Sequence, residues 1–192
     1  MSTPAIGEVV AAGTGEFTAE LFREAQVPGL GSWVQVEQED MSSVFGLVCQ
    51  VEMGPYDQNR CPVALRRTAA ELQQEMPHVL ELLRTTFRVI VCAHRSRQGD
   101  LRQSLPLRPV QIHQFAFACD DEWVRRLGEP YDYLRILVSR QDIPIDEVLV
   151  AVLRGIAVSH GGYDEVVRAG RALSRLLRDD HERLQSILRR AV

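Results

Sequence analysis

Apolar side chains fall on every second position, for most of their length, in IGEVVAA (6–12), EFTAELF (16–22), SWVQVEQ (32–38) and SVFGLVCQVE (43–52). A period of two predicts strands with one face buried and the other turned outward. Gly13-Thr14-Gly15 and Gly29-Leu30-Gly31-Ser32 lie between them and read as turns. After the turn MGPYDQN (53–59) the spacing changes. Pro62 suits the first position of a helix through Ala64, Leu65, Ala69 and Leu72, and Pro77 breaks or restarts it before HVLELLR (78–84). The strand pattern resumes in FRVIVCAH (87–94) and PVQIHQFAFAC (109–119), joined by the polar loop RSRQGDLRQSLPLR (95–108). Six short strands with Gly-containing turns predict a closed barrel, because closure removes unpaired edges. Phe17, Trp33 and Phe45 are expected to fill it.

From Asp120 the period becomes about 3.6, the signature of helices. Asp120 or Asp121 can cap a helix containing Trp123, Val124 and Leu127; Tyr131–Ser139 forms a second, and Pro144 opens a third. In that third helix Ile145, Val148, Leu149, Val152, Leu153 and Ile156 belong to an apolar run that leaves almost no polar face. It is expected to lie at the centre of a bundle or against a partner, with Val148, Val152 and Ile156 as its interface residues. Gly161-Gly162 ends it, and two more amphipathic helices follow, Tyr163–Arg178 and one from about Asp180 or His181. The predicted class is α+β: a barrel domain over residues 1–119 with a helical insertion at about 62–85, then a helical domain over 120–192.

Composition narrows the chemistry. The chain has 192 residues, 45% of them apolar, enough for a real core. No apolar stretch reaches the roughly 18 residues that span a bilayer, and MSTPAIGEVV lacks a basic region and a signal-peptide core, so the expected location is the cytoplasm. All 22 basic residues are arginine, which excludes Schiff-base chemistry and a P-loop lysine. Cys49, Cys61, Cys92 and Cys119 are far apart, with no CxxC pair and no histidine at ligand spacing, so neither a metal site nor another cofactor is expected. Asp179, Asp180, His181 and Glu182 are adjacent, but consecutive helical positions diverge, and these suit an N-cap and first turn. Gly13 and Gly15 resemble a fragment of a phosphate loop, yet a strand follows rather than the helix a phosphate needs.

Residues 1–60 hold nine acids and two arginines, whereas residues 61–119 hold four acids and eight arginines, so the barrel is expected to have unlike faces. Arg95, Arg97, Arg102 and Arg108 flank a loop whose only acid is Asp100, a candidate contact for phosphates or an acidic partner. Interleaved aromatics for base stacking are missing there. Gln111 and His113 are expected on one face of the sixth strand, opposite Ile112 and Gln114, with His113 hydrogen-bonded rather than catalytic.

The segments IGEVVAAGTGEFTAEL, GSWVQVE, VFGLVCQVE, TFRVIVCAH and PLRPVQIHQ, with the helical tail LSRLLRDDHERLQSIL, resemble HAS-barrel proteins. This small barrel is shared by HerA-type translocases and ATP synthase catalytic-ring subunits, and the overall similarity is greatest to small cyanobacterial-type HAS-barrel proteins. The resemblance implies a six-stranded barrel that supports ring assembly or docks a partner at the N-terminal end of a hexameric ATPase. No GxxxxGK[ST] occurs, and the chain is too short for a RecA-like motor, so hydrolysis is not carried over. The leading expectation is a non-enzymatic interaction or assembly protein that docks on such an ATPase or self-assembles. The alternative is a nucleic-acid-binding accessory of DNA processing, resting on the arginines of 95–108. An enzyme working in a groove between barrel and helices ranks third, because no nucleophile–base or metal constellation is visible.

Overall fold

The computed structural model describes residues 4–57, 63–160 and 163–191. Its strands are β1 (Ala5–Ala12), β2 (Glu16–Leu21), β3 (Trp33–Glu37), β4 (Ser43–Pro55), β5 (Leu83–Arg95), the two-residue β6 (Leu101–Arg102) and β7 (Phe115–Ala118). All pairs are antiparallel in the order β2-β1-β7-β3-β4-β5-β6, and β2 pairs with β5 from Glu16↔Ile90 to Glu20↔Thr86, closing six strands into a barrel. β6 lies outside the ring as an extension of β5. Register shifts at Phe45/Gly46 and Val48/Gln50 between β4 and β5 bend these two long strands, as closure of so small a barrel requires. A Cβ at Gly46 would stand 2.4 Å from the Ile90 carbonyl oxygen, so only glycine fits there.

Inside the barrel Val9, Phe17, Ala19, Val34, Val36, Val44, Val48, Phe87, Val89 and Val91 form one buried cluster. Phe17 is where alternation places it, but Trp33 and Phe45 are not. They belong to a second cluster, on the outer face, with Leu47, Cys49, Ile90 and Cys92. The helices cover that face. Trp33 meets Tyr133 edge-on at 5.0 Å between ring centroids, and Phe45 lies 4.9 Å from Trp123.

Between β4 and β5 come α1 (Ala69–Glu75) and α2 (Pro77–Glu81). The expected helix does not form at Ala64 and Leu65, which lie outside any helix or strand. Arg66 has φ +53°, and Thr68 starts α1 in a reciprocal capping box with Glu71. Pro62 lies outside the described residues. After β7 follow α3 (Asp121–Gly128), α4 (Tyr133–Val138), α5 (Ile145–His160), α6 (Tyr163–Leu176) and α7 (His181–Ala191). Asp120 caps α3, its carboxylate accepting the Trp123 N–H at 2.9 Å. α5 packs against α6, α7 and α3 as well as β4, the central position its apolar sequence demands.

The sixth strand is shorter than expected. Only Phe115–Ala118 pairs with β1 and β3, and residues 111–114 form a turn in which His113 has φ +73°. The Gln111 N–H donates to the Gln114 side chain at 2.9 Å, shaping a turn whose backbone meets β1 through Val9. Gln111 and His113 therefore do not share a strand face.

A charge network also ties the helices to the barrel. Glu16 on β2 accepts hydrogen bonds from Arg88 on β5, at 2.9 and 2.7 Å, and from Arg140. Asp142 accepts from Arg88 at 2.6 Å and from Arg140 Nε at 2.7 Å. Partial burial pushes the Glu16 carboxyl up, but the two guanidinium groups outweigh it and hold it below the usual range. Arg140, then Arg88, holds Asp142 well below its own.

Two predictions follow from this packing. The Tyr133 hydroxyl is buried without a hydrogen-bond partner among the described residues. Tyr133→Phe removes that unsatisfied group while keeping the ring against Trp33, and should raise stability by about 1 kcal/mol in denaturant unfolding. Glu16 and Asp142 have depressed folded-state pKa values, so they contribute stability above the unfolded carboxylate range, about pH 4, and lose it as pH falls through the folded values. The stability gap between the native chain and Glu16→Gln/Asp142→Asn should be widest near neutrality and should close on acidification, as measured by unfolding across pH.

Candidate interaction surface

The helices cover the barrel on one side only. No residue of β1, β2 or β7 belongs to the buried cluster shared with the helices, whereas β3, β4 and β5 all contribute to it. On the open side Phe115 is 52% exposed, and Phe22 meets it edge-on at 5.9 Å. Ile112 and Val10 are exposed close by, where the His113 N–H donates to the Val9 carbonyl at 2.9 Å. The His113 ring contacts Glu8 at 2.6 Å on the same face.

Beyond Phe22 the chain forms a strap, residues 22–31, that crosses one end of the barrel. The Phe22 N–H donates to the Ile6 carbonyl, and the Gly31 N–H donates to the Val48 carbonyl. Gly31 has φ +75°, and a Cβ there would stand 2.9 Å from both Ala151 and Val152 of α5, so glycine lets the strap reach the helix. A groove of about 630 Å³ runs between strap and strands, lined by Ile6, Phe22, Val27, Pro28 and Trp33 among others. A second, of about 510 Å³, lies on the other side of the strap, with Leu21, Met53, Tyr56, Leu80 and Leu83 in its walls. Tyr56 is held by Glu20 and by Arg84, whose guanidinium lies 5.5 Å from the ring centroid. Glu24 is exposed at the first groove and forms no ion pair among the described residues.

The sequence-predicted residues divide. Arg95 does not reach outward. Its guanidinium lies 5.3 Å from the Trp123 ring centroid, and it donates to Ser43 Oγ at 3.0 Å. Arg97, Arg102 and Arg108 are exposed, and Arg97 is close enough to Asp40 to help hold that carboxylate low, after the larger effect of hydrogen bonds from Ser42. Of the four arginines, Arg95 is thus turned onto Trp123, while Arg97, Arg102 and Arg108 stay exposed. Val148, Val152 and Ile156 are 0%, 2% and 3% exposed, buried in the chain's own core. Toward the end of α5, Val158 turns outward, 82% exposed.

Asp180 Oδ1 accepts the Arg183 N–H at 3.2 Å at the start of α7, a capping geometry. Among the described residues no group of three or more His, Cys, Asp or Glu side chains is placed to hold a metal ion. Burial pushes the Cys49 thiol up to about 11 and raises Cys92 and Cys119 further, so these thiols are protonated at neutral pH. Cys61 lies outside the described residues. No described helix is long and apolar enough to cross a membrane.

The strap and its grooves were missed by sequence reasoning. Their signal is FREAQVPGLG (22–31), a connection of ten residues whose apolar members follow no period. Covered and open faces make a measurable contrast. Phe45→Ala should cost about 3–5 kcal/mol in denaturant unfolding, whereas Phe115→Ala should cost less than about 1 kcal/mol. Compared with known proteins, the chain matches no family model and no curated sequence.

Proposed function

We propose that this chain is a non-enzymatic docking and assembly protein of HAS-barrel type. Its partner is an oligomeric HerA-like or ATP-synthase-like ATPase, or further copies of itself, and it binds through the open half of its barrel. The observation that carries the reading is the outer side of β7, β1 and β2, which contributes nothing to the core shared with the helices and where Phe115 and Phe22 meet edge-on, with the strap's two grooves beside them. The segments that resemble HAS-barrel proteins lie mostly in the barrel strands. The sequence contains neither a GxxxxGK[ST] motif nor any lysine, which removes the usual P-loop contact to phosphate.

Nucleic acid binding is the weaker reading. Arg97, Arg102 and Arg108 favour it, but Arg95 is committed to Trp123 and Arg97 has Asp40 nearby. Salt separates the two, because phosphate contacts weaken steeply with salt and apolar docking does not.

The test is a pull-down of the tagged chain from native lysate of its source, washed at moderate salt, beside the double variant Phe22→Ser/Phe115→Ser. A ring-ATPase subunit captured by the native chain and lost with the variant is the expected result. Equal capture by both proteins refutes the docking face, and nucleic acid retained only at low salt favours the second reading.

A further inference from the structure

We infer that the loop 103–109 of one copy docks into the strap groove of a second copy, head to tail. This rests on the assembly reading above and names the self-association it would use. The loop carries an exposed apolar tip on a fixed base. Leu107 is 100% exposed and Leu105 44%, with Pro106 between them. Gln103 anchors the loop, donating through Nε2 to the Leu127 and Glu129 carbonyls at 2.8 Å each and accepting the Tyr133 N–H at 3.2 Å. His94 Nδ1 bonds the Ser104 carbonyl at 2.9 Å, and Gln38 reaches the Pro109 carbonyl at 3.5 Å. Leu107 is thus held out in water by a pinned loop, and docking it costs little conformational entropy.

The strap groove has the matching chemistry. Its walls are mostly apolar, with Gln26 and Ser32 among them, and its exposed charge is Glu24; the tip is apolar, and the exposed charge beside it is Arg108. Neither charge has an ion pair among the described residues. A groove of about 630 Å³ accepts a short apolar segment. Tip and groove are at opposite ends of the barrel: Trp33, where β3 begins, lines the groove, and Gln38, just past the end of β3, bonds the loop. One molecule cannot bring them together. Two different surfaces meeting between copies make a heterologous contact, which closes a ring if the rotation permits and extends as a filament otherwise.

Sedimentation of the full chain tests this with Leu107→Asp on the loop and Val27→Asp in the groove. The native chain should form species larger than a monomer at about 100 µM, well above the micromolar range of weak specific contacts. Each variant should be monomeric with native circular dichroism. Their equimolar mixture should form a heterodimer, because one intact loop–groove pair remains. Arg108→Glu should weaken assembly at least about tenfold, and adding Glu24→Arg should restore it. A monomeric native chain overturns the inference, as does a mixture that fails to pair. A native assembly that survives both variants overturns the loop–groove contact while leaving the assembly reading intact. Loop–groove assembly without ATPase capture upholds the inference and reduces the assembly reading to self-association.

Discussion

The packing of Trp33 on Tyr133 and of Phe45 on Trp123 is the contact on which the rest of the structure depends. A small barrel normally buries one face of each strand. Here β4 over residues 43–49, β5 over residues 89–93 and β3 at Trp33 are buried on both, with valines turned inward and Trp33, Phe45, Leu47 and Ile90 turned outward into the helices. Each such outward side chain contributes about 1.5–3 kcal/mol when buried and would face water if the helices were absent. The helices need the barrel equally, since α5 has too few polar positions to stand alone.

Covering three strands determines what the other three can do. The outer surface of β1, β2 and β7 has no helix of its own, yet it carries Phe115 and Phe22, with Glu8, Glu20 and Glu24 around them. The strap ties this open side to the covered one, touching Ile6 at one end and α5 at the other. The network of Glu16, Arg88, Arg140 and Asp142 stands at the border between the two sides, where strands β2 and β5 close the barrel.

The strands and helices were legible in the sequence because their periods are clean: two through Ile6–Leu21 and about 3.6 from Asp120 onward. Which parity faced inward was not. Alternation separates two faces without saying which is the interior, and the aromatic size of Trp33 and Phe45 suggested a barrel filling that valines with Phe17 and Phe87 in fact provide. The apolar run at both parities in VFGLVC (44–49) was the available sign of burial on two sides. PVQIHQ mimics a strand, but Gln114 bonds the backbone locally and His113 turns left-handed. Arg95 read as part of a basic loop because its partner Trp123 is distant in sequence. The grooves were illegible for the same reason, being formed by segments that only the barrel's closure brings together.

The claim that barrel and helices form one unit is tested most directly by native-state hydrogen exchange of the full chain at rising denaturant. If the shared core governs stability, the slowest amides of β4, β5 and α5 open with a common free energy and merge into one global unfolding event. Amides of α5 that exchange several kcal/mol below those of β4 and β5 would show helices detaching from an intact barrel, and would contradict the account.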